Sequence, residues 1–259
     1  MRTFLKPVDR LGLCFLALLT AILLFFVSAV PAWPRLIAHY LLLAVFILLL
    51  AVLDRRAGAG KTLSSIRAFA PIMVILMIFN SLGDLIPWIW PAYLDDIFIK
   101  IDHALFGVHP TVWLERFVHP LLTDLFQIAY ITYYPMAITL GVVLYAKNRR
   151  KKFDEAIFGV ILCFYLSYLG YILFPAFGPR FTLIHLQTMD LKASQFTIAV
   201  QETLNALEHN KTDAFPSGHT AVALMTLFYA WKYREKILFR ILAPTVSALI
   251  VSTVYLRYH

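Results

Sequence analysis

Seven apolar runs limit what this chain can fold into: 11–30, 36–53, 68–86, 121–145, 156–175, 217–231 and 241–258. A helix rises 1.5 Å per residue, so about 20 apolar residues cross the hydrocarbon core of a bilayer. Of the 259 residues, 61% are hydrophobic and only 15% charged, against about 25% charged in a soluble domain. This excludes a pair of soluble domains, a disordered chain and a repeat solenoid. The sequence predicts an all-α, polytopic transmembrane helical bundle. Run 217–231 is short for a bilayer and is expected to borrow residues from both flanks. Run 11–30 follows Arg2, Lys6 and Arg10 and so imitates a signal peptide. Its 20 uncharged residues exceed a usual signal core, and it is read as a retained helix.

Basic residues orient the bundle. With a cytoplasmic N-terminus, the inner segments are 1–10, 54–67, 146–155 and 232–240, and they hold 16 of the 23 Lys and Arg. The outer segments 31–35, 87–120 and 176–216 hold 1, 2 and 3. This positive-inside alternation explains the net charge of +8 without nucleic acid. Segment 87–120 mixes Trp88, Trp90, Asp95, Asp96, Lys100, Asp102, Trp113 and Arg116 and suits helices lying among headgroups. Segment 176–215 is long enough to shape an entrance. Cys14 and Cys163 sit inside apolar runs and are read as buried small hydrophobes.

Three short stretches carry chemistry: Phe174-Pro-Ala-Phe-Gly-Pro-Arg180, Phe215-Pro-Ser-Gly-His219 and Ser252-Thr-Val-Tyr-Leu-Arg-Tyr-His259. Charge counting alone puts all three at the outer ends of their runs. Arginine binds phosphate oxygens bidentately and keeps its charge when partly buried. Ser217 suits a helix cap, and a helix opening there would turn its free amides toward an anion. One histidine can attack phosphorus while the other protonates the leaving oxygen. Arg180, Arg257 and the helix terminus would hold the developing charge. No carboxylate cluster is needed, so no metal and no cofactor are expected. The plainer readings are an interhelical histidine, snorkelling arginines and a simple helix start. Asp84 and Asp124 are candidate headgroup or acceptor contacts, with helix–helix pairing the favoured alternative. Tyr130 could line the same cavity, though aromatic packing is the plainer reading. His103, His109, His119, His185 and His209 have no metal-ligand spacing.

These residues resemble the type 2 phosphatidic acid phosphatase superfamily, and within it the branch of inositol phosphorylceramide synthases and their bacterial relatives. That family carries K-x6-R-P, then P-S-G-H, then S-R-x5-H-x3-D. Pro216 to His219 matches the second motif fully, Gly178-Pro-Arg180 the core of the first, and Ser252 to His259 the spacing of the third. Leu173 stands where the first-motif lysine belongs, Phe181 replaces the proline, and Thr253 replaces the third-motif arginine. Arg257 lies one helical turn from Thr253 and is expected to supply the missing charge.

The resemblance implies that His259 is the nucleophile forming a phosphohistidine and His219 the general acid, with Arg180, Ser217 and Gly218 as phosphate ligands. It covers roughly residues 68–259, which gives two added N-terminal helices in 1–60 and a catalytic domain in 61–259. The family's last helix, with an aspartate four residues past His259, would lie beyond residue 259, so the chain is expected to be truncated within a six-helix core. The implied activity is metal-independent phosphoryl transfer from a lipid phosphate or phosphodiester to water or an alcohol. An inositol- or sugar-phosphate headgroup transferase, and an inactive transporter or scaffold, are the alternatives. The implied setting is a bacterial inner or plasma membrane with the site outside. The expected partners are substrate, acceptor and surrounding lipid, with no nucleic acid.

Overall fold

The computed structural model describes residues 4–56 and 60–258. It is all-helical, with no strand among the described residues. Helices α1 (Pro7–Phe25), α2 (Trp33–Arg56) and α3 (Lys61–Ile89) come first. Short α4 (Asp95–Phe106) and α5 (Pro110–Trp113) follow, then α6 (Pro120–Ile131), α7 (Tyr133–Ala146) and α8 (Arg150–Leu173). The chain closes with α9 (Pro179–Thr182), α10 (Gln195–Leu207), α11 (Gly218–Lys232) and α12 (Lys236–Tyr255). Among the described residues α1, α2, α3, α8 and α12 are each long and apolar enough to cross a membrane, and α6 with α7 forms a bent pair that makes a sixth if it is one span.

Two spans differ from the sequence expectation. Run 121–145 is broken, with a 43° bend between α6 and α7. Pro135 lacks the amide that would reach the carbonyl of Ile131, and Thr132 turns its hydroxyl back to the carbonyl of Ala129 at 2.6 Å. The break puts Tyr130 and Tyr133 on either side of it. The short run does not borrow from its N-terminal flank, because Ser217 caps α11 by accepting from the amide of Thr220 at 3.3 Å. With 15 residues, α11 is about 22 Å long. Cys14 is also exposed rather than buried, while Cys163 is half-buried.

Helix α8 is the most enclosed of the spans, packing on α11, α3, α7 and α1. Its Tyr165 stacks on Phe15 of α1 with ring centres 4.3 Å apart, and its Tyr168 donates to the carbonyl of Ile75 in α3 at 3.0 Å. Apolar packing between helices gains little from lipid, because lipid tails are equally apolar, so close fit and polar contacts decide. Near the start of α3, Arg67 donates to Asp9 of α1 at 2.6 Å and to Asp54 of α2 at 2.7 Å. This buried trio ties the two N-terminal helices to the rest. Glu235 similarly takes Lys147 and Arg149, joining the α7–α8 and α11–α12 turns. The outer helix α4 exposes Ile97, Ile101 and Leu105, a stripe at helical spacing.

Arg67→Leu would leave the buried Asp9 and the half-buried Asp54 carboxylates without their counter-charge. It is expected to lower stability by about 3–5 kcal/mol, read from unfolding in detergent. Lys6→Ala, whose partner Asp154 is largely exposed, is expected to cost under about 1 kcal/mol. Equal effects from the two variants would contradict the assignment.

Candidate active site

The three stretches singled out in the sequence meet at the end of the bundle where α11 begins. Ala214 donates its amide to the carbonyl of Ala176 at 3.2 Å, joining the segment before α11 to the segment after α8. Gly178 adopts a φ of +86°, and a Cβ there would lie 2.8 Å from the carbonyl oxygen of Tyr258. Both the left-handed backbone and the close approach require glycine. The first and third stretches therefore touch directly.

Asp95, at the start of α4, shapes the turn that carries Arg180. Its carboxylate accepts from the amides of Phe177 at 3.0 Å and Gly178 at 2.8 Å. Charge-assisted bonds of this kind are roughly twice as strong as neutral ones. The turn opens α9, where Arg180 donates to Glu208 at 2.8 Å and to Asn205 at 2.5 Å. Its guanidinium also lies 4.9 Å from the ring centre of Tyr258.

From Arg180 a run of ring contacts leads to His219. Tyr258 stacks on Tyr130 at 4.4 Å, Tyr130 on His219 at 4.6 Å, and Tyr133 lies 4.2 Å from the other member of the pair, His219. His219 sits in the first turn of α11, where the leading amides have no intrahelical acceptor. Gly218 lies against the hydroxyl of Tyr171, leaving no room for a Cβ.

The structure thus gathers Arg180, Tyr130, Ser217, Gly218 and His219 into one region. His259 lies outside the described residues, and the chain is described up to Tyr258. Arg257 is buried and held elsewhere: it donates to Glu115 at 3.0 Å, to Gln187 at 2.8 Å and to the carbonyl of Met189 at 2.6 Å. Asp84 takes His209 at 3.0 Å and Arg35 at 3.5 Å. Asp124 accepts from the amide and hydroxyl of Ser194 at 3.0 and 2.9 Å, anchoring the start of α10. Among the described residues no group of three or more His, Cys, Asp or Glu side chains could hold a metal ion.

The comparisons with known proteins follow this geometry. The profile of the PAP2 superfamily matches residues 96–259. The chain belongs to that superfamily, which is of the phosphatase type. It is also similar to a PA-phosphatase related-family protein of Dictyostelium discoideum, 23% identical over 235 aligned positions covering 78% of this chain and 41% of the relative. The chain therefore spans well under half the length of that protein. No solved structure matches it. The match takes in the three stretches and the outer helices α4 and α5, and it begins after the first three spans.

Asp95 and Glu208 hold the turn and the side chain of Arg180, Asp213 lies beside them, and Glu115 holds Arg257; the sequence reading found none of these contacts. The signal was thin: each is an ordinary acid in an outer segment, and its partner lies far along the chain. Asp213 precedes α11 beside Glu208 and Arg180. Burial, with Glu208 adding to it, pushes its carboxyl from 3.8 up to about 8, against the opposing pull of Arg180. The folded protein therefore keeps a proton that the unfolded chain releases between those values. Asp213 accordingly makes folding less favourable as pH rises from about 4 to about 8. Asp213→Asn removes this dependence. The variant's melting temperature is expected to gain on the wild type progressively across that window. An offset that does not change with pH would contradict it.

Proposed function

We propose that the chain is a membrane phosphoryl-transfer enzyme acting on a lipid phosphate or phosphodiester, with a phosphohistidine intermediate. The observation that carries this reading is the convergence of Arg180, His219 and the backbone of Tyr258 at the outer mouth of α11. Tyr258 is covalently followed by His259. A member of a phosphatase-type family needs an anion cradle, an attacking group and a proton donor; Arg180 with the α11 amides suits the first role, His219 the third, and His259, next in sequence after Tyr258, is assigned the second.

In this reading, a ring nitrogen of His259 attacks phosphorus and forms an N–P bond as the P–O bond to the leaving alcohol breaks. His219 gives its proton to the departing oxygen. The neutral His219 then takes a proton from water or an alcohol as that oxygen attacks the phosphohistidine and frees His259. Arg180 and the α11 amides, with Ser217 and Gly218 forming the helix start, stabilise the equatorial oxygens. Arg257 was expected to add a second cation, and its contacts to Glu115 suggest a different role, developed below. Water as acceptor makes the protein a phosphatase; an inositol or sugar hydroxyl makes it a headgroup transferase. Tyr130, in contact with His219, is the best placed of the three proposed headgroup contacts.

Helix length supports a lipid substrate. A helix of about 22 Å cannot reach both faces of a hydrocarbon core of about 30 Å. With Lys232 at the inner surface, the N-terminus of α11 lies beneath the outer headgroups. A lipid phosphate can reach that depth laterally while its chains stay in the bilayer.

The test is product analysis of the purified full-length protein with radiolabelled lipid phosphates, each with and without alcohol acceptors. Wild type is expected to release phosphate or transfer the headgroup. His219→Ala is expected to slow this by about 10²–10⁴-fold, and His259→Ala to abolish it, with membrane insertion unchanged in both. Normal turnover by the His259 variant would overturn the nucleophile assignment.

A further inference from the structure

Helix α12 ends in a turn that a side chain like arginine rarely occupies. The amide of Tyr258 reaches back to the carbonyl of Thr253 at 2.9 Å, and Arg257 at the turn has a φ of +67°. That left-handed position is usually glycine, because a Cβ there crowds the backbone. The side chain of Arg257 is correspondingly well engaged. Its two terminal nitrogens reach Glu115, Gln187 and the carbonyl of Met189, while its Nε–H is buried without a protein partner among the described residues.

Glu115 completes the arrangement. It lies in the turn of residues 114–117 and is only 7% exposed. One carboxylate oxygen takes Arg257; the other takes the amide of Thr188 at 3.1 Å and its hydroxyl at 2.8 Å. A residue 142 positions away in sequence thereby fixes the end of α12 to two outer segments. Immediately beyond the turn, Tyr258 sets its ring on Tyr130 and its carbonyl against Gly178.

We propose that Glu115 and Arg257 are a positioning pair, whose ion pair fixes the turn at the end of α12 and with it the backbone of Tyr258, the residue that precedes His259 in sequence. Arg257 then acts through the backbone turn and not as a ligand of the transferred phosphoryl group. This rests on the reading of His259 as the attacking residue. A conserved-shape change at Glu115 should disturb the attack without disturbing anion binding, since Arg180 and the α11 terminus are untouched.

The test compares Glu115→Gln and Arg257→Lys with wild type in three measurements on the full chain in detergent. These are kcat and KM with a lipid phosphate, the dissociation constant for vanadate, and the rate at which diethyl pyrocarbonate modifies His259, read by peptide mass spectrometry. Both variants are expected to lose at least about tenfold in kcat, with KM and vanadate affinity within about twofold. Both should change the modification rate at His259. The reversed pair, Glu115→Arg with Arg257→Glu, should recover part of kcat. Tenfold weaker vanadate binding by Arg257→Lys, with Glu115→Gln unaffected, would make Arg257 an anion ligand and overturn the proposal. Wild-type kcat in both variants would also overturn it. If wild type turns over no phosphate ester, the proposed function fails, and the modification rate still decides: an unchanged rate in both variants overturns the pair. Thr188→Val, which removes one bond to Glu115 and keeps both charges, supplies the same readouts at milder disturbance if either variant fails to fold.

Discussion

In hydrocarbon a backbone amide without an acceptor costs several kcal/mol, so a spanning segment must close its own hydrogen bonds. Free amides can then occur only at helix ends. Helix α11 places such an end inside the bundle, because Ser217 caps it early and 15 residues follow. The functional region is organised around this terminus. The α6–α7 break presents Tyr130 and Tyr133 to its first turn, and Tyr171 of α8 closes on Gly218. Gly218 is required because its neighbour leaves no space for a methyl group.

Acidic residues of the outer segments hold the cations and amides of the region in place. Asp95 holds the turn before Arg180, Glu208 holds Arg180 itself, and Glu115 holds Arg257. Under the proposed function, an incoming phosphate would meet Arg180 with the carboxylate of Glu208 already in contact, and binding would exchange one anionic partner for another. The nearby Asp213, whose proton affinity burial raises, adds less negative charge beside Arg180 than an ordinary carboxylate would.

The all-helical bundle of apolar spans was legible in the sequence, because apolar run length responds directly to the bilayer. Arg180, Ser217 and His219 stood out by their types and order, and the structure brings them into one region. The bend at Thr132 was not, because Pro135 falls inside an apolar run and such runs also contain prolines that leave helices intact, as Pro71 and Pro87 do in α3. Nor was the engagement of Arg257. A charge one turn from Thr253 looked like a substitute ligand, but its direction depends on a left-handed turn and on Glu115, 142 residues earlier. Long-range ion pairs of this kind leave no local pattern to read.

The most direct measurement is a structure of the full-length protein in lipid with vanadate bound. This account places the oxyanion at the N-terminus of α11, within hydrogen-bonding distance of Arg180 and with the His219 and His259 rings on opposite sides of the vanadium. An oxyanion bound away from α11, or a His259 ring too distant to approach the metal, would contradict it.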